Sequence, residues 1–416
     1  MHSEGRLATK KERTMIDSKT GRRALILLGA GASVELGIPA TSALTNTIDA
    51  AVLEDKWCAH TRGSQAYSDV RETLVRYYGS QDEAHFERVY HVLHQLAQLQ
   101  ERPTACPEFR PILAPFVQKI GTHAEQALHA AGQTMLRTIY ARCSQACSAV
   151  SQEQMEPMAA FFAALERDYI PRVYTTNYDD FVWQATHQRY YTGFTREHDG
   201  HRSFDAPGFW RHWDRPSLFH LHGSIHLGYA NDHDIGDLAW FDDRERAQTH
   251  AGFDGSGLLQ MDGSQIERSA IITGLDKLPR LQPAPYAFYY SAFNRDVIEA
   301  DLIIVIGSGM ADLHLNSHLK MARRARPEVP LLYVGFWGKD PQEFHRTLQY
   351  QPEPRDLSLF HDLHIDLTSL AESDFRSQCG WTVAPTSKGA VWADGFQAFL
   401  RNPAAFASVL GRLTLP

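Results

Sequence analysis

The stretch ALILLGAGAS, Ala24 to Ser33, runs five apolar residues straight into a loop of small ones. The run shows no helical period and stops at glycine, so it reads as a buried strand entering a tight turn. The same pattern recurs down the chain. RVYTT (172–176) ends at NYDD, SLFHLHGS (217–224) enters Gly223, and DLIIVIGSG (301–309) enters Gly307, while AIITG (270–274) and PLLYVGF (330–336) are further strand candidates. Such runs, separated by helical segments, predict an α/β fold with a mostly parallel sheet and helices on both faces. Loops at the carboxyl ends of strands line the crevice of an open α/β sheet. The polar residues near Leu28, Thr176, Leu221 and Ile306 are therefore expected to converge.

Residues 1–22 are polar and read as a tail or arm, leaving 23–336 as the expected main domain and 337–416 as a small C-terminal addition. Within the main domain, Phe86, Val89, Tyr90, Leu93 and Leu96 recur at spacings of three and four, which marks 65–168 as a helical insertion. Its three prolines between 101 and 113 predict a bend. Residues 229–268, rich in Asp, Gly, Gln and His, read as a surface excursion. The addition offers LHIDLT (363–368) as a strand and helical character around Phe396, Phe399, Leu400 and Phe406.

A net charge of -8 over 416 residues gives no global attraction to nucleic acid or to an anionic membrane. The basic cluster at Arg323 and Arg324 reads as a solvated helix face, so no direct nucleic-acid binding is expected. Five scattered cysteines do not form a secreted disulfide framework, and the polar N-terminus lacks a signal peptide's apolar centre. A cytoplasmic protein without membrane spans is the expectation.

Gly29, Ala30, Gly31 and Ser33 fit either a nucleotide-binding loop or a tight core turn. Val34 stands where a dinucleotide fingerprint has its third glycine, and the lysine of a GxxxxGK[ST] loop is missing. The rigid GIP turn, Gly37 to Pro39, favours a shaped loop over a pocket. Asp49 lies 20 residues beyond Gly29, where a dehydrogenase would hold a ribose, but it reads as a structural helix residue. Asn177 and Asp179 can bind a sugar, water or amide, or merely cap the next helix. His220 and His222, two apart, would share a strand face. Without a matching cysteine pair no metal is expected; His222 is either a base toward a ribose hydroxyl or a hydrogen-bonded core residue. Gly307 and Ser308, with Asp312 and Asn316 beyond them, make a second glycine-rich strand end.

Taken in order, GAGAS with GIP, TTNYDD, HLHGS and VIGSGMADLHLN resemble the SIR2 family, and more closely its bacterial antiphage-defence NAD hydrolases, which also carry a segment like SAIITGLDK (269–277). The resemblance covers roughly residues 23–336. It implies a Rossmann-like sheet that takes NAD as substrate, with Asn177 and His222 catalytic. Gly29, Ala30, Gly31 and Ser33 would meet the diphosphate, Asp179 the nicotinamide amide, and Gly307 and Ser308 the adenine ribose; Pro39 and Thr176 complete the expected site. Deacetylating relatives follow the GIP turn with Asp-Phe-Arg and carry two cysteine pairs, whereas this chain has Ala40, Thr41 and Ser42 and one loose pair, Cys143 and Cys147. NAD glycohydrolysis to nicotinamide and ADP-ribose is therefore expected ahead of protein deacylation or a noncatalytic NAD or ADP-ribose sensor. Because a free NADase depletes a shared cofactor, control by a partner or by homo-oligomer assembly is expected, and the resemblance implies a HerA-like ATPase as a candidate partner.

Overall fold

The computed structural model describes residues 21–99, 123–230, 238–252, 255–259, 265–275, 277–338 and 340–414. The tail before residue 21 and the proline-rich bend at 101–113 lie outside them. Seven strands form the central sheet: β1 (Arg23–Leu28), β2 (Ile170–Thr175), β3 (Ser217–His220), β4 (Leu302–Ile306), β5 (Leu331–Val334), β6 (Trp381–Val383) and β7 (Gly389–Trp392). Their spatial order is β6-β7-β5-β4-β1-β2-β3, parallel throughout except that β6 runs against β7. From β1 the chain builds outward to β2 and β3, then returns to the other side of β1 to lay down β4 and β5. The order reverses between β1 and β4, which is where an open α/β sheet splays its strand-end loops into a crevice.

The central strands are apolar along their whole length because helices cover them. Ala24 to Leu28 and Leu302 to Ile306 are at most 3% exposed, and each leucine or isoleucine so buried contributes roughly 1.5–3 kcal/mol. Helix Tyr286–Glu299 packs on β1, and Gln152–Leu165 on β2. The insertion is helical, as its spacing predicts: Gly63–Tyr78 and Phe86–Gln98 pack against the 25-residue helix Glu125–Ala149. Thr41–Glu54 joins the same cluster, and its Asp49 accepts from Arg71 Nε at 2.8 Å and from the Tyr67 hydroxyl. That fixes Asp49 as the structural residue expected.

Three local readings are corrected. Leu363–Thr368 alternates buried and outward residues as a strand would but is not one: His364 sits at φ 55°, and Asp366 Oδ1 turns the chain by accepting from Thr368 N at 2.9 Å. Residues 270–274 make one isolated antiparallel bridge, Ile271 to Gly223 in the loop after β3, and form no strand of the sheet. Residues 229–268 are more than a surface excursion. Leu238–Phe241 is a fully buried strand of a four-stranded antiparallel sheet with Phe194–His198, His201–Phe204 and Leu227–Tyr229. Four consecutive apolar residues carry no alternation, so the strand left no period to read.

The C-terminal segment supplies β6 and β7 and so belongs to the central sheet. Its helix Phe396–Leu400 starts on the Glu35 carboxylate, which accepts from Phe396 N at 2.6 Å and Gln397 N at 2.9 Å. Among the described residues no helix is long and apolar enough to cross a membrane.

Candidate active site at the strand-order reversal

The two glycine loops interlock. Gly29 N donates to Ile306 O at 2.8 Å and Gly31 N to Gly307 O at 2.9 Å. A Cβ on Gly29 would lie 2.6 Å from Ser308 Cα, and one on Gly307, whose φ is +62°, 2.1 Å from Ala32 N. Contact between the loops therefore requires these glycines whether or not a ligand approaches. Ala30 and Gly31 remain exposed. The following turn folds back through Ile38 N, which donates to Ser33 O at 3.2 Å, with Gly37 at φ +102° and Pro39 half-buried beside it.

From β2 the chain closes a network onto the first loop. Asn177 Nδ2 donates to Gly29 O at 2.9 Å and to Ser33 Oγ at 2.7 Å, and Ser33 Oγ donates to Asp179 Oδ2 at 2.6 Å. Asn177 thus spends both amide hydrogens on protein partners, leaving Oδ1 as the side-chain atom able to accept from elsewhere. Asp179 Oδ1 also accepts from Phe181 N at 3.3 Å, the Asx-turn expected as one of its two readings. Burial pushes the Asp179 carboxyl up to about 6, against the lowering effect of its Ser33 and Phe181 bonds. Thr176 continues the ladder, its N donating to Leu28 O at 3.0 Å and its Oγ1 to the same oxygen at 3.3 Å. A cavity of about 10 Å³, lined in part by Ser33, Asn177, Asp179, His220 and Phe396, adjoins the network and is about the size of one water.

The two strand-end histidines do not share partners. The strand ends at His220 and Gly223 turns at φ +93°, so the two-residue alternation fails there. His220 Nδ1 lies 3.2 Å from Asn177 O, and burial pulls the ring down to about 4. His222, 3% exposed, faces the other loop: its Nε2 is 4.0 Å from Asp312 Oδ1 and has no hydrogen-bond partner among the described residues. Burial, with Lys277 nearby, pulls His222 down to about 3, so it is a neutral imidazole at physiological pH. Lys277 Nζ lies 3.4 Å from Asp312 Oδ1 and 3.6 Å from Glu87 Oε1 on the insertion. Burial acts to raise Asp312, but facing His222, Lys277 and His314 outweigh it and hold the carboxyl below its ordinary range.

His222, Asp312 and His314 are close enough together to surround an ion. The arrangement suits one poorly: the Lys277 ammonium occupies the carboxylate oxygen, and His314 Nε2 is bonded to the Tyr290 hydroxyl at 3.1 Å. The other histidine in the motif, His226, is structural. Its Nε2 meets Asp180 Oδ2 at 2.9 Å, its Nδ1 meets Phe241 O at 2.7 Å, and its ring stacks on Trp240.

Gly29, Ser33, Asn177, Asp179, Gly307 and Ser308 are thus gathered at one reversal point, with His222 on the adjoining loop. Lys277, Glu87 and the role of Asp312 escaped sequence reasoning. The signal available was the pair of motifs SAIITGLDK and GSGMADLHLN, the first ending in the charged residues Asp276 and Lys277 and the second carrying Asp312.

No curated protein matches the chain. Among solved structures it is similar to a Sir2 homologue complexed with NAD, at 15% identity and TM-score 0.39, over 99% of this chain and 98% of that one. A mutant Sir2 homologue complexed with 2′-O-acetyl ADP ribose is 15% identical with TM-score 0.35, over 79% and 84% of the two chains. Sir2Tm bound to a propionylated peptide is 13% identical with TM-score 0.31, over 86% and 100%. Residues 171–353, which run from β2 past β5 and include Asn177, Asp179, His222, Gly307 and Ser308, match the family model of the SIR2-like domain.

Proposed function

We propose that the chain is a NAD glycohydrolase that splits NAD at the nicotinamide glycosidic bond to give nicotinamide and ADP-ribose. The observation that carries this reading is the buried, unpartnered Nε2 of a neutral His222 beside the Ser33, Asn177 and Asp179 network. An imidazole nitrogen buried without a partner costs about 1–3 kcal/mol, a cost removed when a ligand hydroxyl donates to it.

The nicotinamide nitrogen is already cationic in NAD, so the C–N bond breaks with its electron pair going to the ring. The ribose becomes oxocarbenium-like, and water adds at the anomeric carbon and gives up one proton to solvent, so that nicotinamide, ADP-ribose and H⁺ are the products. His222 Nε2 accepts from a ribose hydroxyl and stabilises the developing positive sugar. Asn177 Oδ1 accepts from the attacking water or a neighbouring hydroxyl, while the bonds to Gly29 and Ser33 hold the side chain in place before substrate arrives. Asp179, when ionised, accepts from the nicotinamide amide. The diphosphate runs along the exposed Ala30 and Gly31, and the adenine ribose reaches Gly307 and Ser308.

Chromatography of nicotinamide and ADP-ribose, using the wild type, Asn177→Ala and His222→Ala, tests the reading. Equal release of both products by the wild type and a loss of 100-fold or more in each variant is the expected outcome; retained turnover in both folded variants overturns the site. A noncatalytic NAD-binding module is the second reading, favoured by the two Asn177 donors being spent on the protein. Tight NAD binding without turnover, in the presence of any co-purifying partner, selects it.

An ungated enzyme of this kind would exhaust a shared cofactor. We therefore propose that activity is gated, and from the motif resemblance we propose a cytoplasmic effector of antiphage defence controlled by self-assembly or by a HerA-like ATPase. Full activity of a persistent monomer at low concentration contradicts that control.

A further inference from the structure

The helical insertion reaches the site through a line of alternating charges. Glu87, in the first turn of helix Phe86–Gln98, lies 3.6 Å from Lys277; Lys277 lies 3.4 Å from Asp312; and Asp312 lies 4.0 Å from His222 Nε2. Lys277 is only 15% exposed, and so is held between two carboxylates rather than solvated. The segment carrying it is fixed on its N-terminal side, where Ile272 N donates to His222 O at 2.8 Å and Tyr178 Oη to Ile272 O at 2.9 Å.

We propose that Lys277 is a positioning residue that holds the Asp312 carboxylate off the His222 ring, keeping Nε2 open for substrate and tying that state to the helical insertion through Glu87. The inference rests on the role given to His222 above and adds how the chain keeps that nitrogen available. Asp312 Oδ1 stands about 1 Å beyond hydrogen-bond distance from Nε2. A carboxylate beside an imidazole normally closes that gap and protonates the ring, because the ion pair is worth more in a buried site than in water. Here the ammonium offers the carboxylate a better partner and adds a positive charge that disfavours imidazolium. Among the described residues the groups facing His222 are Lys277, Asp312 and His314; Glu87 acts on it through Lys277. A displacement of the insertion that pulled Glu87 and Lys277 away would release Asp312 onto Nε2, so the insertion is placed to switch the site.

The test uses the full-length protein with Lys277→Met, Lys277→Arg and Lys277→Met combined with Asp312→Asn. The His222 ring is titrated by ¹⁵N NMR without NAD, and kcat and KM are measured alongside. In Lys277→Met the His222 pKa is expected to rise by at least about one unit and kcat to fall about tenfold or more, with a smaller change in KM. Arginine should keep the ring neutral, and Asp312→Asn in the double variant should return it to neutral. A His222 titration unmoved in Lys277→Met, or unrestored in the double variant, overturns the proposal; a lysine that merely braces the fold would change melting temperature and leave the ring where it was. The titration stands apart from turnover: movement of His222 in a protein that never cleaves NAD sinks the glycohydrolase reading and keeps the positioning role.

Discussion

Replacing Ser33 by alanine removes the junction between the two halves of the network in one step. Ser33 Oγ accepts from Asn177 Nδ2 at 2.7 Å and donates to Asp179 Oδ2 at 2.6 Å, with all three residues buried. The neutral bond is worth about 1 kcal/mol and the bond to an ionised carboxylate about 1.5–3 kcal/mol, so Ser33→Ala should cost about 2.5–4 kcal/mol at pH 8. Urea denaturation should show a lower midpoint at unchanged slope. The penalty should shrink at pH 5, below the raised Asp179 value of about 6, because a protonated carboxyl no longer gives the charged bond. The Ser33 bond lowers Asp179, so losing it should raise that group further and carry the acid limb of turnover upward with it. A loss below about 0.5 kcal/mol at both pH values, with the limb unmoved, refutes the network.

In the wild type the acid limb should lie near pH 6 and belong to Asp179, since His222, near 3, stays neutral across the range; Asp179→Asn should remove the limb along with much of the binding. Because the Asp179 value is raised in the fold from 3.8 to about 6, its contribution favours folding fully below pH 3.8 and is lost as pH rises through 6, a fall of about 3 kcal/mol that Asp179→Asn should abolish in pH-dependent denaturation. Gly307→Ala should cost several kcal/mol, from a left-handed φ and a Cβ 2.1 Å from Ala32 N, seen as lost soluble yield or a much lower melting temperature. Glu35→Ala should cost about 1–2 kcal/mol and free the C-terminal helix first, read by hydrogen exchange at Phe396 and Gln397.

The central sheet was legible because β1, β2, β3 and β4 are apolar runs that end in glycine or Asx residues, and those same endings named most of the site. What escaped was non-periodic or non-local. Leu238–Phe241 is apolar on both faces and has no alternation. β6 and β7 are three and four residues long, too short to stand out from a tail, yet long enough to complete a sheet already laid down by β5. His220 and His222 matched the two-residue rule in sequence, but the rule lapses where the strand stops. Lys277 and Glu87 are 190 residues apart, and only packing of the insertion against the loop after Gly274 brings their charges together.

The most direct measurement is nicotinamide release from NAD by purified protein, followed over a range of protein concentrations with His222→Ala and Asn177→Ala beside it. The account predicts nicotinamide and ADP-ribose in equal amounts from the wild type, rising more steeply than protein concentration where assembly gates the site, and a loss of 100-fold or more of both products in the variants. Turnover at the wild-type rate by both folded variants would contradict it.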